Sequence, residues 1–487
     1  MTVVSTHRRI LHSATLTLLF TSLSVATLAA QLGAGVRSPD TTVVSSTSAA
    51  ARIELLAGID DLNNAFATRG AEHLRRALAL DENLGVARVL YASVAPGLTA
   101  EQRKAEMNRG VTSAAAVSTG ELVTAQFYRA WFTGDNKQAI ILSRAAMELL
   151  PNDPNIAWSN ALITLNGNLG NGTRALREAI RLFPDYAPSY NNLAYALWSA
   201  SDRAGALQAA QQYISRAPNH PNPYDTYAEL LQWSGRFEEA IVQLQKAIAV
   251  DPDFLVAYPH MAAIQTLQGR NDLARASITT GMQRVKTDAD RARFQRMIAA
   301  SWAMDGNLKN TTTALGAVAP FARSDSNSQV EGTSHVLLAV YDAILGDGRN
   351  AAGHLTAAGT IGDTTDSGRR TWVAFAHAFN RQNDLARSGS LALRDTLMEG
   401  SNVAVANAHL INALVYLNEG NGAAAMSEAT LANPSAPLTR AIMALAQQRL
   451  GNTATARSLR DEVMNDRDFD LTNTQQVVAR VLVKRIV

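Results

Sequence analysis

Small and apolar residues recur along this chain with a period near 34. Pro151, Pro184, Pro218 and Pro252 are spaced by 33, 34 and 34 residues. Between them Ala194, Ala228 and Ala262 fall in register, as do Ala206, Ala240 and Ala274, and the two alanines of each unit lie twelve residues apart. That spacing predicts two antiparallel helices that meet where side chains are small. A glycine five residues before the second alanine, as at Gly235, predicts the end of the first helix, because glycine enters the left-handed region without steric cost. Proline then stops the second helix. A single pair leaves an apolar face exposed, and stacking on its neighbours buries that face, so the units stabilise one another.

The same interval of twelve continues at Ala339 and Ala351, Ala374 and Ala386, Ala413 and Ala425, and Ala444 and Ala456. Gly346, Gly420 and Gly451 hold the turn position in three of these units, and Arg381 holds it in the other. The pentapeptide Asn-Asp-Leu-Ala-Arg occurs at 271–275 and again at 383–387, each time at the turn into a second helix. Upstream, Gly134, Ala139, Ala146 and Pro151 make a further unit, and Gly58, Gly70 and Ala77 a weaker one. Eleven or twelve pairs are expected from residue 51 onward. Three glycines and two asparagines in 167–172 predict one longer inter-helix turn, and the polar stretches 320–334 and 359–370 predict linkers.

In the middle unit Tyr224, Tyr227, Ala228, Leu231, Gly235, Phe237, Ala240, Ala247 and Pro252 stand where a tetratricopeptide repeat has its signature residues, and the chain resembles that family. The resemblance is strongest over 120–280, leaving out the irregular unit near Gly167. It implies an all-α fold, an α-solenoid of stacked antiparallel helix pairs winding as a right-handed superhelix. The expected organisation is a signal peptide at 1–30, a disordered tether at 31–50, degenerate repeats at 51–119, a regular array at 120–290, a degenerate array at 291–470 and a C-terminal capping helix at 471–487, its terminal face kept soluble by Arg480, Lys484 and Arg485.

The resemblance also implies where a partner binds, because in that family the first helix of each pair lines a concave groove that grips a peptide. Carried over by register, the groove positions are Asn191, Asn192, Tyr195 and Trp198, then Asp225, Glu229, Gln232 and Trp233, then His260. Packing between first helices is the other reading of Trp198 and Trp233, and a solvated polar edge that of Asp225 and Glu229. The central repeats carry no lysine on this face, which speaks against capture of a terminal carboxylate. Two aromatics and two acids suit an apolar peptide with a basic flank.

At the N-terminus Arg8 and Arg9 precede residues 10–30, which hold no acid, lysine or arginine and are dominated by Leu16, Leu18, Leu19, Phe20, Leu23, Val25 and Leu28. This is the pattern of an export signal with cleavage after Ala26 or Ala30, an uncleaved anchor being the alternative. Arg8 and Arg9 account for the formal net charge of +2, leaving 42 basic and 42 acidic residues in the remainder. A nucleic-acid binder would show a basic surplus or interleaved aromatics. With no cysteine, disulfides, thiolate metal sites and cysteine nucleophiles are excluded.

Nine histidines are scattered singly, and no nucleophile elbow, phosphate loop or zinc-protease motif occurs. The Gly-x-Gly pairs at 170/172, 346/348 and 420/422 lie at helix-to-helix turns with no strand before them, so a nucleotide site is not expected. No catalytic residue, cofactor or metal is assigned. The expected role is a non-enzymatic scaffold of the cell envelope that binds other proteins, with no nucleic acid and no membrane span once the signal is removed. The alternative is an accessory or carbohydrate-binding subunit of a polysaccharide-export or cell-wall-processing machine.

Overall fold

The computed structural model describes residues 46–95, 97–324, 328–362, 364–395 and 402–486. The signal peptide and most of the tether therefore lie outside the described residues, and the first helix begins at Ala49, within the stretch read as tether. In chain order the helices are α1 (Ala49–Asn63), α2 (Ala67–Leu80), α3 (Gly85–Val94), α4 (Ala100–Ala115), α5 (Thr119–Phe132), α6 (Asn136–Leu149), α7 (Pro154–Gly167), α8 (Leu169–Leu182), α9 (Pro188–Ser199), α10 (Arg203–Arg216) and α11 (Asn222–Trp233). There follow α12 (Phe237–Val250), α13 (Ala257–Leu267), α14 (Asn271–Met282), α15 (Asp288–Met304), α16 (Leu308–Gly316), α17 (Ala319–Ser324), α18 (Ser328–Leu345), α19 (Gly348–Ala358) and α20 (Ser367–Phe379). The last six are α21 (Asn383–Asp395), α22 (Asn402–Asn418), α23 (Gly422–Thr430), α24 (Pro437–Arg449), α25 (Thr453–Met464) and α26 (Thr474–Val483). No strand occurs among the described residues.

The chain divides into two compact units, Met1–Leu230 and Leu231–Val487, the division falling inside α11. Eleven helix hairpins pack within these units among the described residues: five in the first, from α1–α2 to α9–α10, and six in the second, from α13–α14 to α24–α25. First helices also pack on the next first helix, as α5 does on α3 and α22 on α20. The alanine pairs mark the crossings, since both partners of Ala194/Ala206, Ala339/Ala351, Ala374/Ala386, Ala413/Ala425 and Ala444/Ala456 are at most 2% exposed.

Local chemistry sets the helix ends. Asp153, Asp202, Asn168 and Ser118 each accept a backbone N–H in the first turn of the helix they precede, and Pro154, Pro188 and Pro437 open helices where a missing N–H costs nothing. The left-handed turn residue is glycine at 134, 235, 269, 306, 346, 420 and 451, with Ser201 and Arg381 forced into the same conformation at φ 67° and 59°.

Two expected loops take a different form. The glycines of 167–172 do not lengthen a turn: Asn168 alone separates α7 from α8, capping both, and a Cβ on Gly172 would collide with the backbone of Leu165. Gly172 serves close helix approach. The 320–334 stretch is mostly helical, α17 ending at Ser324 and α18 starting at Ser328, because its apolar positions from Val330 on continue the pattern that α18 buries.

Of the three cations expected to keep the terminal face soluble, Lys484 and Arg485 are exposed, and one is not. Arg480, read as solvating a terminal face, is 5% exposed, and Gln476 to Val483 are all buried. The helix packs on α24, α25, α15 and α18.

Candidate functional site: the first-helix faces

In the first unit the register positions form a polar ladder from one first helix to the next. The Trp158 indole N–H on α7 donates to Asn192 Oδ1 on α9 at 2.9 Å. Thr226 Oγ1 on α11 donates to Asn191 Oδ1 at 2.8 Å, and the Tyr195 hydroxyl donates to Glu229 Oε2 at 2.7 Å. Each rung spans 34 or 35 residues, one repeat, so equivalent surfaces of successive first helices are tied to each other.

Burial, and secondarily the Glu229 charge, push the Tyr195 phenol well above its ordinary range, which keeps it a donor. Trp198, half-buried at the end of α9, is stacked by the Arg203 guanidinium 3.9 Å from its ring centroid. Asp225 is 4% exposed, so it is neither a solvated edge nor an open anionic contact, and Glu229 already accepts a hydrogen bond. The acidic character expected of this face is thus largely spent inside the protein. Asn192 is buried, while Asn191, Tyr195, Trp198 and Glu229 keep partial exposure.

In the second unit Gln232 is buried, and its amide donates to the carbonyls of Arg467 and Phe469 at 2.9 and 3.0 Å. Trp233 and His260 are half-buried. The structure therefore brings together Asn191, Asn192, Tyr195 and Glu229 as a ladder, and sets Gln232 against a segment far along the chain.

Sequence reasoning missed two features of the first unit. Trp158 stands 34 residues before Asn192, a register match that could have flagged it. The tip of the α1–α2 hairpin could not have been found this way: Asn63 donates to Asn155 Oδ1 and the Tyr186 hydroxyl at 3.3 and 3.0 Å, while Asn64 Oδ1 accepts from Tyr213 at 3.0 Å. Nothing periodic links Asn64 to a residue 149 positions away. Tyr128 joins this network through Asn155 at 2.7 Å, and burial pushes its phenol up to about 12. Beside the network, Asp60, Asn64, Tyr186, Arg216 and His220 help line a polar cavity of about 360 Å³.

Among the described residues no group of three or more His, Asp or Glu comes together to hold a metal, and none of the helices is long and apolar enough to cross a membrane. In the second unit the Nδ1 atoms of His335 and His354 stand 3.0 Å apart, with the buried Asp342 carboxylate 3.7 Å from His354 Nε2.

No family model and no curated protein matches the chain. Solved structures to which it is similar include PilW, a widely conserved type IV pilus biogenesis factor, at 18% identity over 44% of this chain and 96% of that one, TM-score 0.34. A tetratricopeptide repeat protein from Parabacteroides merdae aligns at 12% identity over 68% of this chain and 99% of that one, TM-score 0.33. MamA from Desulfovibrio magneticus RS-1 aligns at 17% identity over 34% and 93%, TM-score 0.29.

Proposed function

We propose that this chain is a non-enzymatic scaffold of the cell envelope, exported by its N-terminal signal, that binds a partner protein on the first-helix face of its first unit. The observation that carries this reading is the row of half-exposed aromatic and amide side chains along α7 and α9, namely Trp158, Asn191 and Tyr195, held by the ladder, and Trp198, stacked by Arg203. Rigid aromatics with a polar tip lose little entropy on binding and are the usual anchors of protein interfaces. The ladder suits them to this role because their rotamers are set before a partner arrives. With Asp225 buried and Glu229 engaged, the favoured partner is an apolar segment with hydrogen-bonding side chains, and a basic flank is not required.

A photo-crosslinking residue placed at Trp198 should yield a discrete adduct in the envelope fraction, whereas the same residue at Ile141, which is 48% exposed on the second helix α6, should yield none. Adducts of equal strength from both positions, or from Ile141 alone, would overturn the assignment of this face. Export is tested separately: the mature chain should begin between Thr27 and Gln31, and a chain beginning at Met1 among cytosolic markers would refute it.

A further inference from the structure

The segment after α25 is not another repeat. It carries no pair of alanines at the interval of twelve, and α26 packs not only on α24 and α25 just before it but also on α15 and α18, the first helices of two hairpins far upstream. Helices elsewhere in the second unit pack on the hairpins next to them in the chain. The contacts at both ends of the segment are specific and polar. Upstream of the helix, Gln232 holds the Arg467 and Phe469 carbonyls, and the Arg467 guanidinium donates to the Ser234 carbonyl at 3.1 Å. Gly235 leaves room for that guanidinium, since a Cβ there would lie 2.7 Å from Arg467 Cζ. Downstream, the Lys484 ammonium donates to the carbonyl of Met304 at the end of α15.

Between these clamps the helix offers Val477, Val478, Val481, Leu482 and Val483, all at most 5% exposed. Its one cation, Arg480, is turned back onto the segment itself, 4.4 Å over the Phe469 ring and hydrogen-bonded to the Asp466 carbonyl. The segment thus satisfies its own buried cation and meets the rest of the unit through an apolar surface, a few backbone-directed hydrogen bonds and one side-chain bond, from the Gln475 amide to Asn407 Oδ1 at 3.4 Å. That is the chemistry of a peptide ligand. Asn465, which joins it to α25, is exposed.

We propose that the first-helix face of the second unit is a binding site for a short apolar helix preceded by a turn, and that the chain's own residues 466–486 occupy it in cis. The site is therefore closed to partners while the segment is seated, and it accepts a segment of the same chemistry when the cis copy leaves. This inference stands independently of the partner face assigned to the first unit.

The test uses the full chain with a protease site inserted after Asn465. After cleavage the segment should stay bound through gel filtration, and an excess of labelled synthetic peptide 466–487 should replace it over hours with the helical signal unchanged. Gln232→Ala should speed that replacement about tenfold, the size expected for losing one or two hydrogen bonds. Loss of the segment on cleavage without uptake of the peptide overturns the proposal, as does exchange that occurs only when the helical signal collapses. A second measurement avoids the insertion altogether. In the unmodified chain the amides of α26 should exchange with deuterium through an opening of their own, faster than those of α20 and α24; identical exchange in all three helices would make α26 an inseparable part of the core and overturn the proposal.

Discussion

The hydroxyl of Tyr195 donates to the carboxylate of Glu229 at 2.7 Å, and the two residues are 34 positions apart. One repeat therefore reaches the next through a side-chain hydrogen bond as well as through apolar packing, at positions that register alone would assign to a partner. A binding face whose residues are already bonded to each other is stiff, and stiffness there reduces the ordering cost of binding.

Breaking that rung should loosen the first unit measurably. Tyr195→Phe is expected to lower stability by about 1.5–3 kcal/mol, the range for a hydrogen bond to a charged acceptor, read by urea denaturation. A double-mutant cycle with Glu229→Gln should return a coupling energy of similar size; additive effects would show that the rung carries no energy.

Arg381 occupies the left-handed turn position at φ 59° where most units have glycine. Arg381→Gly should raise stability by about 0.5–1 kcal/mol, because relief of the Cβ clash outweighs the extra chain entropy of glycine. A fall in the melting temperature would mean that the arginine side chain makes a compensating contact.

Two glycines should respond in opposite senses to alanine. Gly172→Ala puts a methyl group into the backbone of Leu165, at a crossing that cannot yield without moving α8, and should cost about 1–3 kcal/mol. Gly353→Ala, in the interior of α19 with open space around its Cβ position, should stabilise by about 1 kcal/mol. Thermal melts of the two variants decide the matter directly.

Asp342 is 1% exposed, and burial, helped by Asp347, pushes its carboxyl up to about 6. The folded state therefore holds this proton more tightly than the unfolded state, whose value is near 3.8. The stabilising contribution is fully present below the unfolded value and is lost as pH rises through about 6. His354 works the other way: burial and His335 lower its pKa, so its contribution is present above the ordinary histidine range and is lost as pH falls through its folded value. Asp342→Asn, which removes only the first effect, should be more stable than the parent at pH 7.5 by on the order of 2 kcal/mol, with the gap closing toward pH 4. A variant less stable at pH 7.5 would show that the carboxylate is paired with a protonated His354.

The sequence alone determined the repeat unit: the alanine crossings, the glycine turns and the helix ends follow from steric rules that act within about 34 residues, and those rules apply equally at Ala194 and at Ala444. Asn192, Tyr195 and Glu229 stood out through the family resemblance, as groove positions carried over by register. Tertiary structure decided what those residues touch. Whether Glu229 meets solvent, a partner or Tyr195 depends on the stagger between consecutive first helices, and a repeat pattern fixes that stagger only when the packed side chains are in place. The same holds for Asn64 against Tyr213 and Gln232 against Phe469, contacts spanning 149 and 237 residues. No periodicity encodes them, because they join segments that the repeat spacing does not relate and that meet only once the hairpins of each unit have packed.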